Sequence, residues 1–181
     1  MQTPRIPLAE PPYPAPIQAA LDRLMPPGVP PLALFRALAI NERVFLRMMA
    51  GGLLDRGSIT LRERELVIDR TSWRCGAEAE WGVHVTWFGA KAALTADEVA
   101  ALCQSPLPDG AFSPRERLLI RLCDALHATS RIDDELWAAL AAEWRPEQLV
   151  ELVVLAGYYH TIAFVVNAFA IAPEPGTARF A

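Results

Sequence analysis

Three times along this chain a hydroxyl side chain is followed three positions later by glutamate: Thr60 with Glu63, Thr95 with Glu98, and Ser113 with Glu116. In this arrangement the hydroxyl accepts from the third backbone amide while the acid reaches back to the amide of the cap. Two otherwise orphaned donors are satisfied, and a helix start is fixed. Pro114 and Pro146 stand where a first-turn proline is tolerated, and Asp133 is placed to cap the helix running through Leu140. No segment shows sustained apolar–polar alternation bounded by turn residues, so no sheet is expected. These constraints predict an all-α, single-domain bundle of roughly seven or eight helices.

The chain has 181 residues, enough to bury one sizeable core but not two independent ones. Residues 1–31 hold ten of the sixteen prolines. Proline fixes φ and removes a donor, so this region reads as an extended arm with one short helix near residues 17–24. Its apolar anchors Ile6, Leu8 and Tyr13 predict that it lies on the body or on a neighbouring subunit. Residues 32–181 form the helical domain, which begins with a helical pair at 32–40 and 43–54.

Hydrophobic residues make up 52% of the chain, more than a solvent-exposed monomer of this size needs. Burial of the surplus between subunits predicts a homo-oligomer. A net charge of −4 offers no basic face for nucleic acid or anionic lipid. The longest apolar run, residues 149–171, is long enough to raise the question of a membrane span. It contains Glu151, His160 and Asn167 with no basic flank, and reads better as a buried core helix. With no secretory leader pattern and three cysteines, the expectation is a cytoplasmic protein with free thiols.

Chemistry-bearing groups gather in one stretch, Arg62-Glu63-Arg64-Glu65-Leu66-Val67-Ile68, continuing through Cys75-Gly76-Ala77-Glu78-Ala79-Glu80-Trp81-Gly82-Val83-His84. Its opening is echoed by Arg115-Glu116-Arg117-Leu118-Leu119-Ile120-Arg121, a weak internal repeat at an offset of 53 residues. Glu65 corresponds to Leu118, and an acid on a core-facing position is costly unless it has partners or a task. Glu80 and His84 are four apart on one helical face, where a carboxylate raises and orients an imidazole. A break at Cys75-Gly76 lets a helix over residues 77–90 fold back and carry both towards Glu65, with Asp69 the alternative acid one turn on. Cys75, beside Arg74, is a possible reactive thiol or a small buried hydrophobe, whereas Cys103 and Cys123 read as structural. Trp81, Tyr159, His160 and Asn167 are further pocket-lining candidates. A metal site built from Glu80, His84 and His160 has no supporting His- or Cys-rich cluster, so neither metal nor cofactor is expected.

The stretch at residues 62–66 and 75–84 resembles the core of the carboxymuconolactone decarboxylase family, in the alkylhydroperoxidase D-like superfamily. The likeness extends from about residue 32 through the closing helix at 147–167. It implies an all-α fold assembled as trimers or hexamers. It also implies one of two chemistries: decarboxylation of a lactone acid, or thiol-dependent peroxide reduction. Position by position, the family's relay glutamate matches Glu65 and its histidine matches His84. The peroxidatic Cys-x-x-Cys positions fall on Ala77 and Glu80, so both thiols are missing, and Cys75 lies two residues too early. The leading expectation is therefore a cofactor-free lyase acting on a small carboxylic acid or lactone, with His84 as proton donor, Glu80 orienting it and Glu65 completing the relay. The alternatives are a peroxidase-like enzyme using Cys75 alone and a non-catalytic oligomer that binds a small molecule.

Overall fold

The computed structural model describes residues 4–180. Among them are nine helices: α1 (Ala15–Leu24), α2 (Ala33–Leu38), α3 (Glu42–Ala50), α4 (Leu61–Arg74), α5 (Glu78–Phe88), α6 (Ala96–Leu102), α7 (Pro114–Thr129), α8 (Asp134–Glu143) and α9 (Pro146–Ala168). All three predicted capping boxes are closed, at α4, α6 and α7, and the Asp133 side chain accepts from Leu136 N at the start of α8. The count exceeds the sequence estimate. Around residues 32–54 the helices are shorter than periodicity suggested, with α3 ending at Gly51.

α4 is the central helix. Nine of its 14 residues are buried, and it packs against α5, α7 and α9. Two apolar clusters flank it. In one, Leu66, Val67 and Ile68 meet Leu119, Ile120 and Leu122 of α7 and Leu152, Leu155 and Ala156 of α9. In the other, α1, α2 and α3 cover the second half of α9 through Ile17, Leu38, Phe45 and Ile162. Each such leucine or isoleucine contributes about 1.5–3 kcal/mol when removed from water. α9 belongs to both clusters and so joins them. It is the one described helix long and apolar enough to span a membrane, but here its Leu152, Leu155 and Ala156 are fully buried in the protein core. Ile6, Leu8 and Tyr13 of the proline-rich arm pack on the second cluster.

The internal repeat has a physical counterpart. α4 and α7 run side by side in register, and their opening turns are cross-linked reciprocally. Arg62 Nε donates to Glu116 Oε1 at 2.6 Å, while Arg115 Nη1 lies 2.8 Å from Glu63 Oε1. Both glutamates are capping-box acids, so the residues that start each helix also dock the two together. Further along, the fully buried Arg70 forms a two-pronged pair with Asp124, at 2.8 and 2.7 Å. Its Nη1 also donates to the carbonyls of Leu102 and Gln104. Leu118 is half-buried, not sealed like its counterpart Glu65.

Candidate active site

The α4–α5 corner creates the site. Cys75 caps α4, and Gly76 follows at φ +65°, a left-handed conformation that glycine adopts without a Cβ penalty. The chain then reverses into α5, and His84 arrives beside Glu65. His84 Nδ1 is 2.8 Å from Glu65 Oε2, with both side chains buried. The other Glu65 oxygen accepts from Arg64 Nε at 2.8 Å. Arg64 is itself held by the Leu54 carbonyl at 2.7 Å, and its guanidinium lies over the Phe88 ring. On the far side of the imidazole, Nε2 is 2.9 Å from the Tyr159 hydroxyl and 3.4 Å from Glu80 Oε1. Phe88 stacks on the His84 ring, and Tyr159 meets its edge.

Burial alone would lower the His84 pKa. The hydrogen bonds and charges of Glu65 and Glu80 outweigh it and raise the value to about 10. His84 is therefore an imidazolium at neutral pH, with Nδ1–H donating to Glu65 and Nε2–H directed at Tyr159 and Glu80. Burial, reinforced by Glu80 and Glu65, pushes the Tyr159 phenol well above its ordinary range, so it remains an O–H donor. The chain Arg64–Glu65–His84–Tyr159 ends in a cavity of about 480 Å³. Glu80, His84 and Tyr159 form part of its wall. Val83, Trp87, Phe88, Leu53 and Ile162 give it a largely apolar lining, and exposed Arg23 from α1 also contributes. A set of this kind can bind a small, mostly apolar acid and deliver a proton to it in a place partly shielded from water.

Of the residues singled out from the sequence, Glu65, Glu80, His84 and Tyr159 come together. Four others do not line this cavity. Asp69 is fully buried on α4, its carboxyl oxygens have no hydrogen-bond partner, and burial pushes its pKa well up, which favours the protonated form within the core. Trp81 does not line the cavity; its ring packs on Phe180. His160 and Asn167 leave α9 on another side and meet Cys75: Asn167 Nδ2 donates to the Cys75 carbonyl at 2.7 Å. Cys75 is also absent from the cavity wall. Its Sγ lies 3.5 Å from His127 Nδ1, which in turn is 3.3 Å from His160 Nε2. Burial pushes the Cys75 thiol up, with Arg74 only partly opposing. Burial and the neighbouring Arg74 and His160 hold His127 below its usual value. All three cysteines are free.

Sequence reasoning passed over Arg64, Arg23 and His127. Arg64 lay inside the motif, where its spacing resembled an ordinary exposed helix charge. Arg23 comes from the proline-rich arm, outside the stretch where chemistry-bearing groups gather. His127 had a usable signal: at the repeat offset of 53 it corresponds to Arg74, next to Cys75, and parallel packing of the two copies brings these positions together.

No protein-family profile matches the chain, and no curated protein does either. Solved structures do. An uncharacterized peroxidase-related protein from Silicibacter sp. TM1040 superposes with a TM-score of 0.77 at 15% identity, covering 97% of this chain and 96% of that one. An alkylhydroperoxidase AhpD-core, peroxidase-related protein from Ralstonia eutropha JMP134 gives a TM-score of 0.75 at 15% identity, covering 97% and 94%. A protein of unknown function from Agrobacterium tumefaciens, described as a candidate AhpD antioxidant-defence protein, gives 0.60 at 19% identity, covering 77% and 90%. At these identities the likeness is one of fold. The chain has the alkylhydroperoxidase D-like all-α fold.

Proposed function

We propose that the protein is a cofactor-free, carboxymuconolactone decarboxylase-like lyase that acts on a small carboxylic acid or lactone by acid–base catalysis. The observation that carries this reading is the hydrogen-bonded chain from Glu65 through His84 to Tyr159, which ends in an apolar cavity with no thiol on its wall. In the reaction, the bond between the substrate carbon and its carboxylate breaks. The electron pair moves into the conjugated lactone system, and carbon dioxide leaves. The Tyr159 hydroxyl stabilises the developing oxyanion by donating to it, and the His84 imidazolium gives its Nε2 proton to carbon. Glu65 keeps the imidazolium stable before transfer and holds the ring in place, while Glu80 orients it from the other side. The test is ultraviolet-monitored turnover of γ-carboxymuconolactone by the wild type and by His84→Ala. Turnover lost in the variant supports the assignment. A wild type inactive on this lactone and on related unsaturated lactone acids defeats it.

A second reading is a peroxidase-like enzyme in which the Cys75 thiolate attacks a hydroperoxide. The alcohol leaves, Cys75 becomes a sulfenic acid, and two external thiols reduce it. The 3.5 Å contact of Cys75 with His127 and the peroxidase-related structural neighbours favour it. The missing Cys-x-x-Cys pair and the raised thiol pKa weigh against it. A sulfenate-trapping reagent that leaves Cys75 unlabelled after brief peroxide treatment removes this reading. A non-catalytic small-molecule-binding role is third, and is favoured if no acid in a broad aromatic library turns over.

We further propose that the chain works as a homo-oligomer in a reducing, cytoplasmic setting. Supporting the assembly, α9 presents a solvent-facing stripe of Val150, Val154, Gly157, Thr161 and Phe164 at alternating spacings of four and three.

A further inference from the structure

α9 has a second polar locus besides Tyr159. One residue further on, His160 points about 100° round the helix. There it meets the end of α4 at Cys75 and the last turn of α7 at His127. The donor atoms of these three side chains all lie within 4.8 Å of one another. None of the three lines the His84 cavity.

Hydrogen bonding inside the trio does not account for this convergence. Cys75 Sγ is 3.5 Å from His127 Nδ1, and His160 Nε2 is 3.3 Å from that same nitrogen. A ring nitrogen carries either one hydrogen or one lone pair in the ring plane, so it can form one good hydrogen bond and not two. His160 Nδ1 is already directed at the Ala156 carbonyl, 2.9 Å away on the preceding turn. That contact makes Nδ1 the protonated nitrogen and leaves Nε2 with a lone pair facing the other two groups.

The distances do suit a shared cation. Around tetrahedral zinc, with bonds of about 2.3 Å to sulfur and about 2.0–2.1 Å to nitrogen, neighbouring sulfur and nitrogen ligands sit roughly 3.5 Å apart and two nitrogens roughly 3.3 Å apart. The two separations that involve His127 Nδ1 match these values, and Cys75 Sγ lies within 4.8 Å of His160 Nε2. The supporting shell has the usual features of a metal site. The backbone carbonyl of Ala156 orients His160, Asn167 Nδ2 holds the Cys75 carbonyl at 2.7 Å, and three different helices supply the ligands. Each of the three side chains is partly exposed, so an ion can enter and a solvent molecule can complete the coordination.

We propose that Cys75, His127 and His160 form a binding site for a zinc-class divalent cation, with three protein ligands and a fourth position open to solvent. One thiolate and two imidazoles select a borderline-soft ion over magnesium or calcium, which require oxygen ligands. On binding, the metal–sulfur bond replaces the Cys75 S–H bond, and the proton goes to solvent. An open fourth position is the mark of sites that activate water or bind an exogenous group, as distinct from closed structural sites. This locus therefore stands as a second functional centre, separate from the acid–base cavity.

The test uses the full chain, stripped with chelator, kept under thiol reductant and titrated with Co²⁺. Expected are one equivalent bound, the visible bands of tetrahedral cobalt, a thiolate-to-cobalt charge-transfer band and displacement of all three by Zn²⁺. Cys75→Ser loses the charge-transfer band. His127→Gln and His160→Gln each remove a direct ligand and weaken binding by more than the roughly 10–100-fold that loss of an outer-shell partner costs. All three positions are partly exposed, and circular dichroism checks that the variants fold. A readout that needs no variant is alkylation of Cys75 by iodoacetamide, slowed about tenfold or more by one equivalent of Zn²⁺ if zinc caps the sulfur. The proposal is overturned by cobalt binding without a charge-transfer band, by binding that survives in all three variants, or by Cys75 alkylation indifferent to zinc. The last result, paired with peroxide-induced sulfenate at Cys75, would assign the trio to thiol redox chemistry instead.

Discussion

Glu65 Oε2 and His84 Nδ1 lie 2.8 Å apart across the α4–α5 corner, and both side chains are sealed from solvent. A buried carboxylate and a buried imidazole each carry a heavy desolvation cost alone, and they offset it only as an ion pair. The pairing fixes more than stability. It commits Nδ1 to donation and turns Nε2 towards Tyr159 and the cavity.

Removing the proton donor should abolish turnover without dismantling the fold. His84→Gln is expected to lower kcat by at least about 10²-fold, within the range for loss of a positioned general acid. Glu65→Gln should lower kcat as well, and it should also move the alkaline limb of the pH–rate profile to lower pH. The folded His84 pKa is raised to about 10 from an ordinary 6.5, so its stabilising contribution is full below about pH 6.5 and is lost as pH rises through about 10. Wild-type melting temperature should therefore fall on the approach to pH 10, and Glu65→Gln should flatten that fall. An unchanged alkaline limb in Glu65→Gln would remove Glu65 from the relay.

Asp69 gives the opposite use of a buried acid. It has no hydrogen-bond partner, and burial, reinforced by Glu65 and only partly opposed by His84, raises its pKa well above the ordinary value. The folded state therefore keeps a proton that the unfolded chain releases above about pH 4. By linkage this group favours folding most in acid, and that advantage declines as pH rises. Asp69→Asn removes the titration, so relative to wild type it should be more stable at pH 8, with the gain disappearing by about pH 4. Urea melts at the two pH values measure it, and a variant equally destabilised at both would show that Asp69 has a partner.

Arg70 and Asp124 pin α4 to α7. Asp124→Ala strands a guanidinium that is almost wholly buried, and should cost about 3–5 kcal/mol, whereas replacing both partners with apolar residues of similar size should recover much of that loss. Chemical denaturation of the single and double variants separates the two outcomes. A mild Asp124→Ala would mean that the Leu102 and Gln104 carbonyls suffice for Arg70.

How much of this was legible in the sequence follows from the range of each signal. Capping boxes are local, so Thr60, Thr95 and Ser113 announced their helices correctly. The Glu65–His84 pairing was also legible, because the Cys75-Gly76 break and a single fold-back suffice to create it. Residue type and helical spacing single out Asp69, Trp81, His160 and Asn167 as pocket candidates. Which side of a helix meets a cavity depends on the rotation of packed helices, which residue type does not encode. Trp81 and His84 share α5 about 60° apart round its axis, yet one packs on Phe180 and the other on Tyr159, and Tyr159 and His160 are adjacent yet serve different loci. His127 was missed because its partners come from two other helices, and only the repeat offset linked it to Cys75.

The exposed stripe on α9 yields a prediction about assembly. Val150, Val154 and Phe164 are each more than half exposed, and no basic or acidic residue interrupts the line they form with Gly157 and Thr161. A Cβ built at Gly157 meets nothing within 4 Å, so the middle of the stripe is low and lets another helix approach closely. Leaving such a face in water forfeits the gain of about 25 cal/mol per Å² of apolar surface that a second copy would recover. The wild type should therefore sediment as an oligomer at micromolar concentration. Val154→Lys combined with Phe164→Lys should give a monomer with an unchanged helical spectrum, because neither side chain belongs to the apolar core. A wild type that sediments as a monomer at that concentration would refute assembly, whereas an oligomer indifferent to both lysines would move the interface to another face, with the apolar surface around Trp137 next in line.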